Sequence, residues 1–147
     1  MTIIQDIRES VNNCPSINNP LFVHGRSSDT ALDSAKELNI GTFVYLEPIT
    51  KTIGITDQFK TDAIIIGFLT QDEPDSESDE VINEESQLSM EEKIAQMETE
   101  SIAWLSYFLD NYNYAISGTF TLQPVYRIKG VMSGVLLTLS VIEPNRC

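Results

Sequence analysis

One acidic run divides this chain into two parts that have to fold differently. Between Gln71 and Glu92 stand Asp72, Glu73, Asp75, Glu77, Asp79, Glu80, Glu84, Glu85, Glu91 and Glu92, with no basic residue before Lys93. That stretch supplies −10 of a formal net charge of −13, so the acidity is local. Its composition of Asp, Glu, Ser and Asn around Pro74 cannot bury enough apolar surface to be compact alone. Thr70–Leu88 therefore reads as a mobile insertion or a segment ordered by partners. The core must come from a strand-rich stretch before it and a long amphipathic helix after it.

Before the run, Ile3, Ile4, Ile7 and Val11 fall on one stripe, which predicts a helix over residues 2–12 with Thr2 as N-cap and Pro15 as its stop. Leu21–His24 reads as a short strand. A short helix is expected over 30–38, capped by Asp29 and ended by Gly41. Thr42–Leu46 is rich in β-branched and aromatic residues and reads as a strand, interrupted at Glu47-Pro48. Ile49–Thr56 alternates and predicts a half-exposed strand. Thr61–Leu69 is apolar on both faces, as in a central strand covered on both sides. A three-stranded β-meander is the simplest arrangement of these segments.

After the run, Ser89 and Glu92 have the spacing of a capping box, opening a helix that runs to about Asn111. Ile94, Met97, Ser101, Trp104, Leu105, Phe108 and Tyr112 trace one face of it. Two strands close the chain: Ala115–Arg127, broken in pattern by Gly118 and Pro124, and Met132–Ile142. In the latter Val135, Leu137, Leu139 and Val141 should face the core. Lys129-Gly130 supplies the turn, and Ser133-Gly134 suggests a bulge. The expected fold is α+β: a small mixed or antiparallel sheet carrying an N-terminal helix and one long helix, in a single domain of 147 residues.

Few residues point to chemistry. His24 is the only histidine, and nothing around it reads as a nucleophile elbow or a triad, so a strand-end histidine is the expectation. Cys14 and Cys147 read as two reduced thiols, with no zinc spacing between them. The acids from Asp72 lack the glycine and terminal glutamate of a calcium loop, since Glu77 and Asn83 hold those positions. No phosphate-binding glycine motif exists. Trp104 and Phe108 fit core better than an interface hot spot. The nine basic residues are scattered, which argues against tight nucleic-acid binding, while DNA repelled by acidic groups can pass without being held. Phe43, Tyr45 and Phe59 lack the basic groove that single-strand binding needs. No apolar run approaches the roughly 20 residues of a membrane span, and MTIIQDIRES lacks the basic start of a signal peptide. No enzyme, cofactor or metal site is expected, and synthesis in a cytoplasm is.

The order of elements, with the stretches Gly67-Phe68-Leu69, Ser89–Leu109 and the strand led by Ser133-Gly134-Val135, resembles the small neck and tail-completion proteins of tailed bacteriophages. The likeness is closest to tail terminators and extends to ring proteins of crAss-like phages of Bacteroidetes. The resemblance implies a protomer of a sixfold or twelvefold ring in the virion, made in the bacterial host and set between portal or head-completion proteins and the tail. It implies passage of the genome through the ring. The long acidic insertion departs from the family, so its residues carry no family role.

A ring needs two different matching faces. The edge strand holding Ile49, Lys51, Ile53 and Ile55 is one candidate, and the strand after Gly118 is another. The acidic loop (Asp72, Glu73, Asp75, Glu77, Asp79, Glu80, Glu84, Glu85) would line a lumen or face a basic partner. The competing expectation is an acidic binding module, a DNA mimic or an inhibitor of a basic protein, with that run as its contact surface.

Overall fold

A computed structural model of the chain describes residues 3–24, 41–53, 59–71, 84–128 and 132–143. The fold is α+β. In order it comprises α1 (Ile3–Asn13), β1 (Leu21–His24), β2 (Phe43–Leu46), β3 (Thr50–Ile53), β4 (Phe59–Gln71), α2 (Glu84–Asn111), β5 (Ala115–Ile116), β6 (Thr121–Ile128) and β7 (Met132–Glu143). All seven strands join one mixed sheet. The helix expected over 30–38 and the N-cap at Thr2 lie outside the described residues.

The long antiparallel pair β4–β7 is the centre of the sheet. Alternation along each strand turns one set of side chains toward the helices. Ile64 stands opposite Leu139, Ile66 opposite Leu137 and Phe68 opposite Val135. Neighbouring strands extend these rows: Val44 lies beside Phe68, Leu46 beside Ile66 and Leu122 beside Leu137. The expectation that Val135, Leu137, Leu139 and Val141 face the core holds, for all four belong to the main buried cluster with Ile3, Ile7, Val11, Ile94, Met97, Trp104, Leu105 and Phe108. The opposite parity forms a smaller cluster on the other face: Phe43, Tyr45, Leu69 and Met132. Thr61–Leu69 is thus part of a central strand with apolar residues buried on both its faces.

The expected meander is replaced by one interrupted hairpin. β2 and β3 do not pair with each other; both lie antiparallel to β4 along the same edge. Phe43 pairs with Leu69 and Ile53 pairs with Phe59 in a single unbroken register. Glu47-Pro48-Ile49 breaks the strand without shifting it, because Pro48 has no N–H to give the ladder, while the Glu47 N–H still donates to the Ile65 carbonyl at 3.0 Å. β1 runs parallel to β2, which requires a crossover connection instead of a tight turn.

Two further boundaries differ from expectation. α2 begins at Glu84, so Ser89 sits inside the helix and the capping box does not open it. Glu84 and Glu85 are helix formers near a helix N-terminus, which favours their charge. They belong to the helix, not to the acidic loop. Likewise Thr70 and Gln71 finish β4, and the buried Thr70 hydroxyl donates to the Gly41 carbonyl at 3.1 Å. In the last third, the expected single strand Ala115–Arg127 is two strands. Gly118, at φ 83°, turns the chain between β5 and β6, a conformation that costs glycine little.

Glycine is required where the central strands meet their neighbours most closely. At Gly134 an added Cβ would stand 1.9 Å from the Phe68 carbonyl oxygen, and at Gly67 it would stand 2.2 Å from the Tyr45 ring. The aromatic ring lies across the bare backbone of its cross-strand partner. Gly134→Ala must push β7 away from β4, since the obstacle is backbone. It is expected to destabilise by about 2–4 kcal/mol, read as a fall in the urea midpoint followed by circular dichroism.

Candidate interaction surface

The two helices are held together by a polar clamp inside an apolar face. α1 places Ser10 on the same stripe as Ile3, Ile7 and Val11, so its hydroxyl is fully buried. It donates to the Ile7 carbonyl at 2.7 Å and accepts from Trp104 Nε1 at 2.8 Å. Every polar atom of the junction is thereby satisfied. Around it the rings pack together: Phe68 lies tilted against Trp104 at 5.7 Å, Trp104 stacks on Phe108 at 5.2 Å, and Phe108 stacks on Tyr112 and Tyr114 at 5.4 and 5.0 Å. Trp104 and Phe108 are each 1% exposed and are core. The Tyr114 hydroxyl donates to Asp6 Oδ2 at 2.5 Å. Burial, with the Glu9 carboxylate beside it, pushes the Tyr112 phenol up to about 12.

A second buried polar group joins α2 to the sheet. Glu100, 6% exposed, accepts from the Thr42 hydroxyl at 2.7 Å and from Gln96 Nε2 at 3.0 Å. Sequence reading passed over both Ser10 and Glu100. Ser10 had a signal, three residues after Ile7 on the apolar stripe; Glu100 had none, since its partner Thr42 is 58 positions away.

His24 ends β1, as expected. Its Nε2 is buried with no hydrogen-bond partner among the described residues. Burial first, and the Arg8 guanidinium second, hold the imidazole below its ordinary pKa. Arg8 itself lies over the Phe22 ring, 5.4 Å from its centroid, and helps line a groove of about 390 Å³ along the outer side of α1 with Gln5, Glu9, Asn12 and Asn13. Cys14 is a buried free thiol; Cys147 lies outside the described residues. Among the described residues no group of three or more His, Cys, Asp and Glu is placed to hold a metal ion, and no helix is long and apolar enough to cross a membrane.

What the fold offers to a partner is its pair of sheet edges. Among the described residues, β1 pairs only with β2, β3 only with β4, and β5 and β6 only with β7. One edge therefore holds β1 and β3 and the other β5 and β6. Of the expected interface residues, Lys51 and Ile53 lie on β3, Ile49 is half-buried against the main core, and Ile55 is outside the described residues. Asp72, Glu73, Asp75, Glu77, Asp79 and Glu80 are outside them too, and only Glu84 and Glu85 are placed, in α2. The chain matches no protein-family model and no curated protein.

Two outcomes test this packing. Ser10→Ala leaves the Trp104 N–H buried without an acceptor and is expected to cost about 1–3 kcal/mol. In a double-mutant cycle with Trp104→Phe, measured by urea denaturation, the pair should couple by more than about 0.5 kcal/mol. The second concerns Tyr45, which is 4% exposed and whose phenol is pushed up to about 12 by burial and then by Glu47. In the unfolded chain a tyrosine ionises near pH 10. The neutral phenol's contribution is therefore fully present below pH 10 and is lost as pH rises toward 12, at most roughly 3 kcal/mol. Denaturation midpoints should fall across that window, and less steeply in Tyr45→Phe.

Proposed function

We propose that this chain is a structural subunit of a tailed-phage virion, assembling with copies of itself into a ring in the neck or tail. The ring joins portal or head-completion proteins to the tail and leaves a passage for the genome. The observation that carries the reading is the open sheet: a complete core with an unpaired strand edge on each of two opposite sides, among the described residues. A closed ring uses two different faces of each protomer, and strand edges can join neighbours through their backbone groups. The element order supports the same reading, for an N-terminal helix, a mixed sheet, a long helix and closing antiparallel strands is the order on which the resemblance to tail terminators rests. An acidic segment beside a DNA passage would keep the genome from adhering.

The concentration of charge favours a second reading, an acidic module that occupies a basic partner, because −10 of −13 lies in one short stretch. Deleting residues 72–83 separates the two. Under the ring reading, ring formation survives the deletion; under the acidic-module reading, a captured basic partner is lost while the fold stays intact.

The direct test is mass photometry of the chain co-expressed with the portal and tail proteins encoded beside it. A sixfold or twelvefold species is the expected result. A chain that stays monomeric with those partners present, and is missing from purified particles, overturns the proposal.

A further inference from the structure

The edge formed by β5 and β6 differs from the rest of the surface in charge. From Asn111 to Tyr126 the chain carries no Asp, Glu, Lys, Arg or His, in a protein with 22 acidic and 9 basic residues. Exposed edge strands are commonly blunted by charged side chains, lysine above all. Here Phe120, Leu122 and Pro124 follow one another at period two, and Tyr126 stands at the bulge between Val125 and Ile128. Leu122 packs on the main core, while Phe120 and Tyr126 remain 38% and 61% exposed. Together with Ile102 on α2, they are the large exposed apolar residues among those described. Pro124 withholds one N–H from the strand, and among the described residues the rest of its outer edge has no pairing strand.

We propose that this β6 edge takes the β1 edge of a second copy of the chain, continuing the sheet from one protomer to the next; the choice of occupant rests on the ring reading above. Two observations select it. First, a chain of net charge −13 repels its own copies, and a neutral, partly apolar edge is where they can approach at least cost. β1, Leu21–His24, brings no Asp, Glu, Lys or Arg. Second, the strand directions match. β1 is parallel to β2, while β2 is antiparallel to β4, β4 to β7 and β7 to β6, so β1 and β6 run in opposite senses. Copies set side by side in the same orientation then bring β6 against the next β1 as an antiparallel pair, the more stable kind of ladder, with Val125 level with Leu21 through Gly134, Leu69 and Phe43. That head-to-tail geometry is the heterologous contact that closes rings.

Sedimentation of the full chain over a range of concentration and salt tests the surface. Self-association should strengthen as salt rises, because screening removes repulsion between copies; an interface built on ion pairs would weaken. Phe120→Ser with Tyr126→Ser should lower the association constant at least tenfold, whereas Ile102→Ser should leave it within twofold. Circular dichroism confirms that each variant is folded. Pairing is read by mixing a Tyr126→Cys chain with a Leu21→Cys chain, both carrying Cys147→Ser, and adding a short bismaleimide. Cross-links between unlike chains are expected. Association unaffected by the double substitution, or cross-links confined to pairs of Tyr126→Cys chains, overturns this edge and leaves the ring reading standing. A chain monomeric at every concentration and salt also overturns it, while the ring reading falls only when the chain is absent from multi-copy assemblies with its virion partners.

Discussion

The central β4–β7 ladder is the constraint from which the other contacts follow. It fixes which side chains face the helices, because each cross-strand partner of Ile64, Ile66 and Phe68 is itself apolar. A one-residue slip would send every one of those residues to the other face. The bulge between Thr61 and Ile64 absorbs an extra residue on β4 and lets the lower part of the strand keep its pairing with β7. Gly134 and Gly67 let the strands and the Tyr45 ring come as close as this arrangement demands. The smaller cluster on the opposite face is a consequence of the same register, read in the other parity.

Helix docking is secondary to that platform but depends on it. α2 lays Ile94, Met97, Trp104, Leu105 and Phe108 on the apolar rows, each such side chain contributing about 1.5–3 kcal/mol when fully buried. α1 is then seated mainly by Ile3, Ile7 and Val11, and its rotation is set by directional bonds: Ser10 to Trp104 and Tyr114 to Asp6. Apolar packing alone tolerates sliding; a hydrogen bond buried among aromatic rings does not, since displacement leaves a donor unpaired.

Much of this was legible in the letters. The stripes of α1 and α2, the limits of β1, the inward set on β7 and the core role of Trp104 followed from periodicity. So did the α+β class. What escaped notice has identifiable physical reasons. Ser89 and Glu92 satisfy a local capping pattern and so suggest a later start for α2, yet Glu84 to Leu88 contain no breaker and extend the helix. Pro48 marks an interruption in the letters without revealing that register survives it, so the sequence suggests a meander where the chain forms a hairpin. Gly118 visibly disturbs the pattern, but its positive φ, which divides β5 from β6, is a matter of backbone geometry. Glu100 and Thr42 meet only in three dimensions. As for the interaction surface, β3 and the strand after Gly118 were both recognisable as edges, while the acidic residues expected to face a lumen or partner owe nothing to periodicity and are mostly beyond the described elements.

The clamp at Ser10 carries one more implication. Trp104 is the chain's single tryptophan, and its indole sits where α1, α2 and the sheet converge. Light emitted by this protein on excitation at the red edge of indole absorption therefore originates from that convergence alone. A shift of the emission to longer wavelength would register the departure of the N-terminal helix, even if the sheet beneath it were untouched.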